Sequence, residues 1–205
     1  MSTAALTARP GVLVDRLVPR STTLTDVALV VTGAAVVGAL GQVTIPMWPV
    51  PITGQTLAVM LVGGALGMRR GAAAMTTYMV AGLAGVPWFA EGGGGPGMLL
   101  APSFGYVVGF ILAAAVAGWC AERAWDRRPV LAMLGFCAAT VMPFLLGVPY
   151  MATVLGLTDM ATIAAYGVTP FVLPGLVKAA LAAAAFPLAW RLIRAVDDRS
   201  VGGRD

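Results

Sequence analysis

The sequence predicts an all-α integral membrane protein of six transmembrane helices, with both termini on the cytoplasmic side. Three observations carry that prediction. Only 11% of the 205 residues are charged and 59% are hydrophobic, whereas a soluble domain is about 25% charged. Apolar runs of near-spanning length recur six times, at 24–46, 53–68, 71–86, 105–124, 129–157 and 167–191. The arginines fall only in alternate gaps between those runs.

Residues 1–23 are polar and basic, with Arg9, Arg16 and Arg20, and read as a cytoplasmic N-terminal segment. The next stretch, "LTDVALVVTGAAVVGALGQVTIPM", is longer than a signal-peptide core and has no clean cleavage site, so it reads as a retained first span. "MWPVPI" at 47–52 is too rich in proline to continue a helix. The second and third runs are short and meet at "GMRRG". The longest interruption is 87–104, "PWFAEGGGGPGMLLAPSF". The fifth run carries Pro143 and Pro149 and reads either as one kinked helix or as a helix plus a re-entrant piece. The sixth closes a membrane domain over 24–195, followed by a cytoplasmic tail at 196–205.

Charge orients these spans. Arg69 and Arg70 lie between runs two and three, and Arg123, Arg127 and Arg128 between four and five. Arg191, Arg194, Arg199 and Arg204 follow run six. The remaining gaps hold only the acids Glu91 and Asp159. A six-span path puts every arginine on one face, which the positive-inside rule assigns to the cytoplasm of a cytoplasmic (inner) membrane. A miscount of one span would break the alternation.

Several function classes are excluded or weakened. The chain has no histidine, and its two cysteines, Cys120 and Cys137, lack zinc-type spacing, so neither a metal site nor a cofactor is expected. No paired-acid or Ser–base arrangement suggests an enzyme. No G-x-x-x-x-G-K-[ST] phosphate loop occurs. "GGGGPG" at 92–97 matches a dinucleotide fingerprint only formally, because it lies between two spans; it reads as a mobile lid or as plain linker. The net charge of +4 sits in short arginine clusters between apolar runs and is no nucleic-acid signal. No internal repeat suggests an inverted-repeat carrier.

Small residues recur at spacing four: Gly63, Gly67 and Gly71; Gly105 and Gly109; Ala35 and Ala39. Such faces let helix backbones approach closely. The broad face of the first span, Gly33, Ala34, Ala35, Gly38 and Ala39, reads as internal packing or as a docking surface for another membrane protein.

Candidate site residues cluster near the arginine-free side. Thr53 and Gln55 follow a run of prolines; Gln55 is either a structural amide or a contact for a urea-like ligand, since an amide both donates and accepts. Tyr78, Trp88, Phe89 and Tyr106, with Ser103 just ahead of the last, stand near span ends. They read as an interfacial aromatic belt or as walls of an apolar slot. Lys178 is the only lysine, and it lies within an apolar run, about 16 Å from the outer span end at helical rise. A lysine at mid-membrane costs about 2.5–3.5 kcal/mol, and no span offers an acid at that depth. Either a small organic anion contacts it, or it pairs with backbone carbonyls freed around Pro174 and Gly175.

"PVPITGQTL" (49–57), "LGMRRG", "GLAGVPWFA" (82–90), "PSFGYVVGF" and "YGVTPFVLPGLVKAALA" together resemble the BioY family, over about residues 28–190. These are biotin-binding S components of energy-coupling factor (ECF) transporters. The resemblance implies a six-helix protein that binds biotin from outside and works with a membrane-embedded coupling protein and cytosolic ATPase subunits. It implies Lys178 as a ligand contact and sharpens Ala35 and Ala39 as docking positions. Many relatives carry an aspartate where this chain has Gly175, so the binding of the ureido ring departs locally from the family pattern. An S component for a different vitamin, or a solitary biotin carrier without an ATPase module, are the alternative readings.

Overall fold

The computed structural model describes residues 11–18 and 22–202, excepting the side chains of 194 and 196–202. Arg9, Arg20 and Arg204, with most of the expected N-terminal segment, lie outside the described residues. A short helix α1 (Leu13–Leu17) precedes the long α2 (Thr23–Gly41). The Thr22 hydroxyl accepts the Thr25 N–H at 3.3 Å and caps α2. At its other end α2 stops at Gly41, five residues short of the predicted span end. The chain turns there into a small antiparallel hairpin, β1 (Thr44–Ile45) with β2 (Ile52–Thr53), pairing Thr44 with Thr53. Pro46, Pro49 and Pro51 cannot donate to a helical ladder, which explains the early end.

Helices α3 (Gln55–Leu66) and α4 (Met68–Leu83) meet at the single residue Gly67, whose φ of 86° suits glycine. The carboxylate of Glu122 accepts the Met68 N–H at 2.9 Å and satisfies the start of α4. A long loop with two single-turn 3₁₀ segments, Ala90–Gly92 and Pro96–Leu100, leads to α5 (Phe104–Ala121). Then come α6 (Pro129–Leu155), α7 (Met160–Gly167) and α8 (Thr169–Gly202). α6 is one continuous helix with Pro143 and Pro149 inside it, so no re-entrant piece forms. α7 is an element the sequence reading places in a gap. It starts where the Asp159 carboxylate accepts the Thr162 N–H at 2.8 Å. That exposed carboxyl is held below its usual range by the Thr162 hydroxyl and N–H.

Four stretches are long and apolar enough to cross a membrane: Thr23–Gly41, Phe104–Ala121, Pro129–Leu155 and Met160–Ile193. They make this a multi-pass membrane protein. α3 and α4, with 12 and 16 residues, reach about 18 and 24 Å at helical rise, less than the ~30 Å hydrocarbon core. α5 is the central helix, packed against α3, α4 and α6. Backbones approach closely where glycines meet. A Cβ on Gly63 would lie 2.5 Å from the Ala114 carbonyl oxygen, and one on Gly71 would lie 2.9 Å from Gly63 Cα. The glycine ladders of the middle helices therefore pack inside the chain.

The arginine-bearing end has its own polar ties. Arg70 bridges Asp15 of α1 and Asp26 of α2 at 2.9 and 2.8 Å. Asp126, buried between α5 and α6, accepts the Trp190 indole N–H at 2.6 Å. Burial pushes its carboxyl above the usual range, against the Trp190 bond and the nearby Arg127. The start of α2, the α3–α4 turn, the end of α5 and the end of α8 all lie at this end. The hairpin, the 84–103 loop and the start of α8 lie at the other.

Candidate substrate cavity

At the arginine-poor end, a cavity of about 470 Å³ opens between the hairpin, the 84–103 loop, α5, α6 and α8. That size suits a small-molecule ligand. Lys178 reaches it from α8, about two and a half turns past Thr169. Its ammonium donates to the Thr53 carbonyl at 2.6 Å, its one bond among the described residues. The strand end of β2 supplies that carbonyl, not the backbone freed around Pro174.

Next to Lys178 runs a closed polar chain. The Thr53 hydroxyl donates to Gln55 Oε1 at 2.8 Å and accepts the Gln55 N–H at 3.3 Å. Gln55 Nε2 donates to the Tyr78 hydroxyl, which donates to the Trp88 carbonyl at 3.2 Å. The Trp88 indole returns a bond to the Tyr78 carbonyl at 2.9 Å. An amide buried to 5% exposure is thus satisfied by protein on both its ends.

The apolar walls are aromatic. Phe89 is 1% exposed beneath the loop. Tyr106, Phe144 and Phe171 form a ring cluster with centroids 5.9–6.0 Å apart. The Tyr106 hydroxyl donates to the Gly167 carbonyl at 2.8 Å, which fixes the ring. Pro143 of α6 and Pro174 of α8 both border the cavity, each lacking the N–H that would hold its helix ladder.

The structure brings together seven of the nine residues named from sequence: Lys178, Gln55, Thr53, Phe89, Ser103, Tyr106 and Gly175 all line this cavity. Tyr78 and Trp88 do not. Tyr78 is fully buried behind Gln55, and the Trp88 ring turns back toward Tyr78 and Gly38. Their role in the wall is corrected to one behind it. The expected docking face divides in the same way. Gly33 packs against Val62 and Leu66, Gly38 against Trp88, and Ala34 is fully buried, so these three serve internal packing. Ala35 and Ala39 remain exposed.

Sequence reasoning missed the contribution of α6, where Thr140 and Phe144 line the cavity one turn apart. Neither residue stands out from its apolar neighbours in the sequence. Sequence reasoning also missed Gln42. That side chain donates to the carbonyls of Gly38 at 3.0 Å and Phe89 at 3.1 Å and accepts the Gly92 N–H at 3.0 Å. One amide so ties the glycine-rich loop to the end of α2, with Glu91 and Met98 bordering the cavity mouth.

The sequence profile described as the BioY family matches residues 14–195. The chain belongs to the BioY family. It is 35% identical to the biotin transporter BioY of Rhizobium etli over 168 residues, 77% of this chain and 89% of that protein. The probable biotin transporter BioY of Pyrococcus horikoshii is 31% identical over 157 residues, 77% of this chain and 91% of that one. Among solved structures, the S-component for biotin from an ECF-type ABC transporter superposes with a TM-score of 0.69, covering 84% of this chain and 95% of the other. At 20% identity that likeness speaks to the fold alone.

Proposed function

We propose that this chain is the biotin-specific S component of an ECF-type transporter, binding biotin with high affinity for uptake across the cytoplasmic membrane. The observation that carries the proposal is Lys178, the one basic residue among those lining a cavity of ligand size, in a member of a family whose relatives are named biotin transporters. Biotin offers such a site a carboxylate, a neutral ureido ring and an apolar part made of the fused thioether ring and its alkyl chain. The aromatic walls suit the apolar part, and the lysine suits either of the two oxygen-bearing groups. Of the residues named from sequence, Lys178, Gln55, Thr53, Phe89, Ser103, Tyr106 and Gly175 stay in the proposed site. The ligand is moved without chemistry on it.

Six spans, with both termini cytoplasmic, form the topology of this proposal. It is supported by the confinement of the described arginines to the end opposite the cavity. The short α3 and α4 then span as a closely packed pair. A membrane-embedded coupling protein and cytosolic ATPase subunits are the proposed partners, met through exposed Ala35 and Ala39 of α2.

Titration of the purified protein with biotin, dethiobiotin, thiamin and riboflavin tests the ligand, with Trp48 at the cavity edge as a fluorescence reporter. Saturable binding of biotin in preference to the two other vitamins is expected. Absence of saturable biotin binding up to micromolar concentration removes the proposal. Ala39→Trp should leave the biotin Kd unchanged and abolish uptake by cells that hold the ATPase module; normal uptake removes α2 as the docking helix.

A further inference from the structure

The proposed biotin site must satisfy two ureido N–H donors, and the wall around Lys178 contains no carboxylate from α6 or α8. Thr56, Glu91 and Ser103 border the cavity from α3 and the loop, whereas the polar groups of Thr53, Gln55 and Tyr106 are engaged. The Thr53 carbonyl takes the lysine, the Thr53 hydroxyl and Gln55 bond each other, and the Tyr106 hydroxyl is turned to Gly167. Thr140 of α6 is different. Its hydroxyl hydrogen goes to the Phe136 carbonyl at 2.8 Å, with Met60 Sδ at 3.4 Å as a second neighbour. No side chain among the described residues donates to Thr140 Oγ1, so the oxygen keeps acceptor capacity at the cavity wall.

Gly175 faces it across the cavity lining. A Cβ at 175 would meet Thr140 Cγ2 at 2.9 Å and nothing else within 4 Å. Real Cβ atoms do not approach so closely, and Thr140 is stiff about χ1 because it is β-branched. The two residues are therefore matched: the threonine methyl occupies the space that a side chain at 175 needs. A chain carrying an acid at 175 could not keep this threonine rotamer.

We propose that Thr140 and Gly175 form the recognition wall for the ureido ring, with Thr140 Oγ1 accepting a ring N–H and Gly175 leaving the room for it. This rests on the biotin reading above. It assigns donor recognition to α6, while α8 supplies the cation and a bare backbone.

The test is biotin titration of three variants in the full-length protein, with ligand-free melting followed in parallel. Thr140→Val keeps the shape and removes the acceptor; it should weaken biotin binding roughly tenfold, the size of one lost hydrogen bond. Thr140→Ser keeps the acceptor and should bind within about threefold of the parent. Gly175→Ala should weaken binding in the parent but have little effect in the Thr140→Ser background, where the opposing methyl is gone. Parent-like binding by Thr140→Val, or equal losses in Thr140→Val and Thr140→Ser, overturns the acceptor role. Equal effects of Gly175→Ala in both backgrounds overturn the pairing, and this cycle decides even where Thr140→Val fails to fold. A parent protein that binds no biotin removes the underlying reading instead, so the two failures are distinguishable.

Discussion

On one side of the cavity, Thr53, Gln55, Tyr78 and Trp88 bond to one another in a closed chain. On the other side, among the described residues, Lys178 makes a single bond with three N–H donors to offer, and Thr140 accepts none. Both sides are polar, and from sequence Thr53, Gln55, Tyr78, Trp88 and Lys178 all look like ligand contacts. The difference lies in what the hydrogen bonds already do. A buried polar group that the protein itself satisfies holds shape, because breaking its bond leaves a desolvated partner behind. A group left under-bonded in a cavity holds chemistry, because only a ligand completes it. The closed chain therefore fixes where the hairpin, α3 and α4 stand, and the open side decides what enters.

The largest expected effect comes from removing the cation. Lys178→Met keeps most of the aliphatic stem and should weaken biotin binding roughly 10- to 150-fold, the value of about 1.5–3 kcal/mol for a hydrogen bond to a charged group. A lysine at membrane depth costs about 2.5–3.5 kcal/mol, so the ligand-free variant should melt at or above the parent temperature. Weaker binding with unchanged or raised stability marks a group kept for its ligand. A variant that loses stability while retaining affinity would move Lys178 to the structural side and break the contrast.

Tyr78→Phe tests the closed side. It strips the buried Gln55 Nε2 of its acceptor, while the half-buried Trp88 carbonyl keeps the Gln42 amide at 3.3 Å. Thermal unfolding should show a loss of about 1–3 kcal/mol, because the orphaned Gln55 amide is buried. The biotin Kd of the folded protein should stay within about threefold. A larger change in Kd than in Lys178→Met would mean that the tyrosine reaches the ligand after all.

The legibility of each part in the sequence follows the same division. Apolar runs and arginine placement located α2 to α6 and α8, because long apolar segments and clustered cations have few alternatives in a membrane. Lys178 was legible because a lone lysine in an apolar run has no inexpensive explanation. Thr140 and Phe144 were not, since a threonine and a phenylalanine in a run such as "GFCAATVMPFLL" carry no contrast with their neighbours. α7 was hidden because Asp159 and its flanking residues read as a gap, whereas the carboxylate starts a new helix. Tyr78 and Trp88 misled for a third reason. An aromatic near a span end has the same one-dimensional signature whether it faces lipid, ligand or a neighbouring helix, and only the partner of its polar atom decides among them. The face of α2 divided for a similar cause: small residues at spacing four permit close approach, but the partner in reach was Val62 and Trp88 of the same chain for Gly33 and Gly38.

Thr53 joins the two sides, and substituting it has the smallest expected effect. Its hydroxyl belongs to the closed chain through Gln55, and its carbonyl holds the lysine. Thr53→Ala removes the first and leaves the second, because the Lys178 partner is backbone. Stability should fall by about 1–2 kcal/mol, because Gln55 Oε1 loses a donor and the Gln55 N–H loses a long bond to its acceptor. The biotin Kd should change by less than about threefold, since the carbonyl still positions the ammonium and Gln55 keeps its bond to Tyr78. Measured beside Lys178→Met, this variant separates the lysine's position from the polarity around it. If Thr53→Ala weakens biotin binding as far as Lys178→Met does, the hydroxyl itself meets the ligand, and the closed chain must open when biotin enters.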